Sequence, residues 1–139
     1  MLSTLQIEQV AAPVTWRLRQ EVLYPNGTLK DVMIDTDFEG YHFGAYKQDM
    51  LVGVISLFQG ENMRFQFRKF AVHTAHQRQG IGRALLETLR SFAKELGARE
   101  VWCHARVEAV DFYKAVGLQP SGELFMRNGM QYIRLVLQI

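Results

Sequence analysis

Cysteine occurs once in the 139 residues, at Cys103, so the chain cannot close a disulfide on itself, and no Cys/His spacing outlines a metal site. Proline is nearly as scarce, with three residues, and no segment is low in complexity or repeats internally, which excludes linkers and collagen-like structure. An excess of either charge is also missing. Sixteen Lys and Arg against 14 Asp and Glu leave a formal +2, too little for the basic face of a nucleic-acid binder. No apolar run approaches the ~18 residues that a membrane span needs. The opening MLSTLQIEQVAAPV has no basic stretch followed by a continuous apolar one, so no secretory leader is expected. These absences point to a cytoplasmic protein with no nucleic acid and no membrane as partner. What is present is an ordinary globular composition, 48% hydrophobic and 22% charged. The length favours one domain over residues 1–139, large enough to bury a core unaided.

Alternation at Leu5 and Ile7 suits a short first strand. Pro13 is placed to open a helix whose apolar face carries Val14, Leu18 and Val22, ending before the turn cluster Tyr24-Pro25-Asn26-Gly27. Residues 28–40 are polar and read as loop. Tyr41–Lys47 and Met50–Phe58 form a hairpin across Gln48-Asp49. The next strand, Met63–Val72, switches parity: apolar residues stand at Met63, Phe65 and Phe67, then at Phe70 and Val72. Side chains alternate faces along a strand, so either an extra residue forms a β-bulge near Arg68-Lys69 or both faces are partly buried.

A long amphipathic helix follows, with Ile81, Leu85, Leu89, Phe92 and Leu96 as its stripe and Gly97 as its stop. Val101, Cys103 and Ala105 alternate in a short strand, where the cysteine reads as packing. A second helix over about Glu108–Val116 and two strands near Gly122–Met126 and Met130–Leu137 complete the chain. Asn128-Gly129 between them favours a type I′ turn. The order β-α-β-β-β-α-β-α-β-β defines a mixed α/β fold.

Gly80-Ile81-Gly82 opens the long helix directly after a strand, which is a device for binding phosphate. The first helical N–H groups lack partners, the helix dipole adds positive charge, and glycine lets an anion approach the backbone. Arg78 and Arg83 flank the loop and can add charged contacts. A tight strand-to-helix turn with solvated arginines would look the same. Gly-Lys-Ser/Thr is absent, which removes the main support for ATP or GTP hydrolysis. Leu85 stands where a dinucleotide fingerprint needs its third glycine.

Gln77-Arg78-Gln79-Gly80-Ile81-Gly82 resembles the Gln/Arg-x-x-Gly-x-Gly/Ala loop of the GNAT acetyltransferase family, and Lys69-Phe70-Ala71-Val72 resembles that family's fourth strand. Ala109-Val110-Asp111-Phe112-Tyr113-Lys114-Ala115-Val116-Gly117-Leu118 is similar to its second signature, in the right order and separation. The resemblance runs from about Ile7 to Leu137 and is diffuse before residue 50. It implies a mixed central sheet with a bulged, splayed fourth strand, and acetyl-CoA as cofactor. Phe70, Ala71 and Val72 would pair with the pantetheine arm, as a peptide pairs with a sheet edge. Gln77 fills the first motif position. Backbone from Arg78 through Gln79, Gly80 and Ile81 to Gly82, with Arg83, would hold the pyrophosphate, and Phe112 and Tyr113 would lie near the thiol end.

The resemblance further implies transfer of an acetyl group to an amine of a small molecule or peptide. Tyr113 would be the general acid, its phenol being protonated at neutral pH. A strand amide near Val72 would serve as oxyanion donor. No glutamate stands on the fourth strand as general base. His73, His104 and Glu108 are the candidates beside a chain of waters. Arg106 replaces the asparagine that usually begins the second signature; it would still reach the cofactor, but its charged fork does not reproduce an amide's contacts. An acyl-CoA-binding module without turnover is the alternative that this departure favours. The acceptor site is expected from the first helix, the 28–40 loop and the late strands. Asp31, Asp35, Asp37 and Glu39 would suit a cationic amine, whereas Arg17 and Arg19 would suit an anionic one. Late strands pairing between subunits would give a homodimer.

Overall fold

The computed structural model describes residues 4–139; Met1–Ser3, the first residues of the stretch expected to lack a leader, lie outside them. β1 (Leu5–Val10), β2 (Tyr41–Lys47), β3 (Met50–Gln59) and β4 (Arg64–Val72) are successive antiparallel neighbours. β5 (Glu100–Arg106) lies parallel to β4, and β8 (Met130–Gln138) runs antiparallel to β5. Short β6 (Gln119–Pro120) and β7 (Phe125–Arg127) pair with β8, so the sheet order is β1-β2-β3-β4-β5-β8-β6 with β7 beside β8. The mixed α/β class and the element order agree with the sequence reading. Both expected hairpin turns form, with positive φ at Gln48 and Asp49 and at Asn128 and Gly129, as a type I′ turn requires. The penultimate strand is displaced, since Gly122 carries a positive φ of 94° and pairing begins only at Phe125.

Helices cover the two faces unequally. α1 (Ala12–Leu23) sets Leu18 against Val54 and Ala71 on one face. α2 (Leu29–Val32) is a single turn closed by a reciprocal Thr28–Asp31 capping box. α3 (Ile81–Glu95) buries Ile81, Leu85, Leu86 and Leu89 on the opposite face, among Phe43, Ile55, Leu57, Phe65 and Phe67. Leu96, expected at the end of that stripe, is 36% exposed because the helix has already ended. α4 (Val110–Ala115), preceded by a 3₁₀ turn over Val107–Ala109, is shorter than the helix read over 108–116.

Two readings of the N-terminal third need correction. Val14 is 40% exposed, and the buried side of α1 is Ala12, Thr15, Leu18 and Arg19. Residues 28–40 are not plain loop: they contain α2 and a 3₁₀ turn at Asp37–Glu39, with Val32 and Asp37 fully inside. One buried ion pair accounts for both. Arg19 Nη1 and Nη2 donate to the two carboxylate oxygens of Asp37 at 2.9 and 3.1 Å, and also to Val32 O and Ser56 Oγ. Asp37 Oδ2 accepts further from Trp16 Nε1 and Ile34 N. Ser56 Oγ lies 2.6 Å from His42 Nδ1, and His42 Nε2 lies 2.6 Å from Asp37 O. This geometry fits a neutral imidazole that donates from Nε2 and accepts from the Ser56 hydroxyl. Polar residues in the 28–40 segment therefore do not mean a solvated segment. They close a desolvated charge that α1 carries inward.

Burial alone would raise the Asp37 carboxyl, but the hydrogen bonds from Arg19 and Ile34 and the Arg19 charge outweigh it and hold the group below its ordinary 3.8. Desolvation first, and then the Arg19 charge, lower His42 below 6.5. In both cases the unfolded chain binds the proton more readily, so stability rises with pH. Urea unfolding should therefore give a plateau above about pH 7. Stability should fall as pH drops below 6.5, and fall again as pH passes below 3.8 through the depressed Asp37 value. His42→Gln should flatten the upper step. Asp37→Asn should cost about 3–5 kcal/mol at neutral pH by leaving the guanidinium buried and unpaired. A neutral-pH stability equal to wild type would show that the pair does not hold the segment.

Candidate active site

The strand parity switch is a β-bulge. Val54 pairs with Ala71 and Ser56 with Arg68, so Lys69 and Phe70 together stand opposite Ile55 alone. Lys69 carries the extra turn at φ 54°. β4 and β5 meet only at Arg64–Glu100, Phe65–Val101 and Gln66–Trp102. Beyond Gln66 the strands diverge, leaving the edge of β4 through Phe70, Ala71 and Val72 without a neighbouring strand. The core residues Val101, Cys103 and Ala105 face α3, which turns Trp102, His104 and Arg106 to the other face.

On that face the gap opens into a cleft of about 460 Å³. Its walls are the end of α1 (Leu23, Tyr24), β4 from Gln66 to Phe70, β5 from Cys103 to Arg106, Tyr113 of α4, and Arg127, Met130 and Tyr132. On the α3 side a second cavity of about 280 Å³ lies between Arg83, Leu86 and Arg90 and the segment Ala115–Leu118. Phe67 borders both. The gap is thus approached from the two sides of the sheet.

At the head of α3, Gly80 is the N-cap with φ +83°, a left-handed conformation, and a Cβ there would meet nothing within 4 Å. Ala84 N closes the first turn onto Gly80 O at 3.0 Å, which leaves the preceding helical amides facing outward. At Gly82 a Cβ would lie 3.0 Å from Phe70 Cζ and 3.4 Å from Phe112 Cζ, so this glycine brings the loop against the aromatic residues of the gap. The surrounding side chains turn aside. Gln77 donates to Val72 O at 3.0 Å, Gln79 accepts from Lys47 at 2.8 Å, and Arg83 pairs with Glu87. Ile81 is core. Backbone N–H groups left open at a helix N-terminus make a cradle that fits a phosphate group.

Tyr113 sits within an aromatic cluster, its ring 6.0 Å from Phe67, 6.3 Å from Phe70 and 5.2 Å from Phe112. Desolvation, with a smaller contribution from Cys103, raises its phenol far above the ordinary 10.0, so the proton stays on Oη. Cys103 is 3% exposed, and burial pushes its thiol up to about 12. Arg106 is turned toward Glu108 at 3.5 Å.

The histidines diverge. His73 lies outside the cleft, where its Nδ1 accepts from Ala75 N at 3.1 Å and its ring meets His76 edge-on. His104 lines the cleft between Trp102 and Phe125, with Nδ1 3.2 Å from Arg127 Nη2. Because the guanidinium can only donate, Nδ1 is the acceptor and Nε2 carries the proton. The acceptor-side residues foreseen in α1 and in 28–40 do not line the cleft: Asp31, Asp35 and Glu39 are absent from its walls, Asp37 is buried against Arg19, and Arg17 pairs with Glu21 on the surface. Tyr24, Lys69 and Arg127 line it instead; the first two stand in stretches read only as a turn and as the fourth strand, and Arg127 lies on the late strands expected here, but the sequence singles out none of them as an acceptor residue. The ammonium of Lys69 bonds to the Tyr24 hydroxyl and lies 4.5 Å from the ring centroid.

This constellation of a bulged strand, an open strand gap and a glycine-opened helix defines an acyl-CoA-type transferase fold. The chain belongs to the GNAT acetyltransferase family, whose acetyltransferase (GNAT) domain model matches residues 18–139. It is 30% identical over 89 residues to N-acetyltransferase family 8 member 3 of Rattus norvegicus, covering 58% of this chain and 39% of that one. The matched stretches span 39% to 65% of the curated relatives' lengths. Among solved structures, a GNAT family acetyltransferase from Elizabethkingia anophelis with acetyl-CoA bound superposes with a TM-score of 0.77 at 19% identity, covering 97% and 98% of the two chains. A Bacillus subtilis acetyltransferase in complex with CoA gives 0.77 at 19% identity and 99% of each chain. Among the described residues no helix is long and apolar enough to cross a membrane.

Desolvation first, then the charges of Arg127, Arg134 and Arg68, lower His104 below 6.5. Followed by NMR, His104 should be the Nε2–H tautomer at neutral pH and titrate below 6.5. Arg127→Gln should move the midpoint upward without restoring it fully, since burial remains. An unmoved midpoint would separate the two side chains.

Proposed function

We propose that the protein transfers an acetyl group from acetyl-CoA to an amine, acting as a cytoplasmic enzyme of one domain, with pairing of two copies through the short late strands as part of the same reading. The observation that supports it is the unpaired β4 edge, with Gly82 at the head of α3 packed beside Phe70 and Phe112, and the Tyr113 ring in the same aromatic cluster. Bound acetyl-CoA supplies an activated thioester. The chain supplies a place for each part of it. Backbone groups of Phe70 to Val72 receive the pantetheine amides, with Val72 O shared with the Gln77 side chain. The amides from Arg78 to Gly82 receive the pyrophosphate, with Arg83 joining them by leaving its solvent-exposed pair with Glu87, and Phe112 packs beside the thiol end.

In the transfer an N–C bond forms, the C–S bond breaks, the amine loses a proton and the sulfur gains one. Tyr113 Oη is the proton donor to the sulfur. Desolvation that keeps the proton on Oη at neutral pH leaves it there to be given up as charge develops on sulfur. We assign removal of the amine proton to water in the open cleft. Nδ1 of His73 is taken by the Ala75 amide and that of His104 by Arg127, so neither ring offers a free lone pair. Glu108 is held by Arg106.

Thermal unfolding in the presence of acetyl-CoA, coenzyme A or ATP tests the cofactor class. Ligand at ~100 times its dissociation constant should add about 2.7 kcal/mol, with acetyl-CoA and coenzyme A effective and ATP not. Gly80→Glu should abolish that rise by placing a charge in the cradle. Tyr113→Phe should keep it while lowering acetyl transfer by about 10²-fold or more. Binding without transfer to any amine would favour a non-catalytic acyl-CoA-binding module, for which Arg106 in place of an amide speaks. No rise with any ligand would end the reading.

A further inference from the structure

The cleft on the α1 face is lined by four cations, Arg68, Lys69, Arg106 and Arg127, and by no carboxylate. Strand alternation produces this. Gln66 and Trp102 are register partners, as are His104 and Arg134, and Arg106 and Tyr132. One face of β4, β5, β7 and β8 therefore collects Arg68, His104, Arg106, Arg127 and Arg134. Of these, Arg68, Arg106 and Arg127 line the same cleft as His104, and Arg127 Nη2 lies 3.2 Å from His104 Nδ1.

Most of that charge is spoken for. Arg134 pairs with Glu100 at 3.0 Å and stacks on Trp102, Arg106 pairs with Glu108, and Lys69 is committed to Tyr24. Arg68 and Arg127 have no carboxylate partner among the described residues. Arg127 is also braced, its guanidinium 5.4 Å from the Phe125 centroid and 5.3 Å from that of Tyr132, with one N–H on His104. A stacked guanidinium with free donors presents a preset fork for two oxygens of one anion. None of residues 77–83 lines this cleft, so these cations are separate from the loop assigned to the pyrophosphate.

We propose that the acceptor amine also carries an anionic group, a carboxylate or a phosphate ester, held by Arg127 with Arg68 on the open face of the strand gap. This rests on the acyl-transfer reading for the amine, while the anion subsite itself is open to direct binding. Cations on this wall repel polyamines and lysine-rich peptides. They also favour the neutral, nucleophilic form of a bound amine, in a cleft with no carboxylate to act as base.

The test is calorimetric titration of the protein saturated with coenzyme A, using matched probes. These are free amino acids against their amides, O-phosphoethanolamine against ethanolamine, and spermidine. The anionic member of at least one pair should bind about tenfold or more tightly than its neutral partner, and the pair that responds identifies carboxylate or phosphate. Arg127→Gln and Arg68→Gln should each remove most of that difference while coenzyme A binds as before. Binding of spermidine or of the neutral members in preference, or no binding of any anionic probe, overturns the subsite. So does weaker coenzyme A binding in both variants, which would assign the arginines to the cofactor. Failure of coenzyme A itself to bind strikes the acyl-transfer reading instead. The same probes, titrated without it, then decide the anion subsite alone.

Discussion

Three residue pairs between β4 and β5 are the constraint on which the site depends. A longer ladder would close the gap, bury the edge of β4 and leave no cleft on either face. Two features enforce the separation. Lys69 adopts a positive φ that inserts an extra residue and bends β4 away. Phe67, Phe70, Phe112 and Tyr113 then fill the wedge with rings in tilted and edge-on contact. The bulge also lets pairing with β3 resume at Ala71 and Val72, so β4 keeps a neighbour on that side after it has left β5.

Much of this was legible because it is local. The bulge follows from parity within ten residues, the hairpin turns from dipeptides, and the helix-opening glycines from adjacent positions. Gly80 and Tyr113 could be named because they sit inside signatures. What escaped the sequence was set by distant partners. Arg19 faces inward because Asp37, 18 residues on, meets it, and that pairing turned a polar stretch into a buried one. Arg127 enters the cleft because β7 pairs with β8 and β8 with β5, a register that no local pattern announces. The shift of the penultimate strand to Phe125 belongs to the same class. The acidic character of residues 28–40 was real, but its strongest carboxylate serves stability and not recognition.

The buried Arg19–Asp37 pair has a positional role as well. Val32 O, Asp37 and Ser56 converge on one guanidinium, which fixes α1, the segment after it and β3 to each other. The last residue of α1, Leu23, and its C-cap Tyr24 form a wall of the cleft. That ionic anchor stands one helical turn from the wall, and its bidentate geometry defines how α1 seats against β3.

Cys103 gives the site a quieter property. A thiol beside a thioester is a natural rival acceptor, since thiolates exchange acyl groups readily and a captured group would block the cleft. Burial that pushes the thiol up to about 12 leaves only ~10⁻⁵ of it as thiolate at neutral pH. The strand that forms one wall thereby carries a nucleophile that is chemically silent. On the proposed reaction, the same dry packing that shapes the gap also protects the protein from acylating itself.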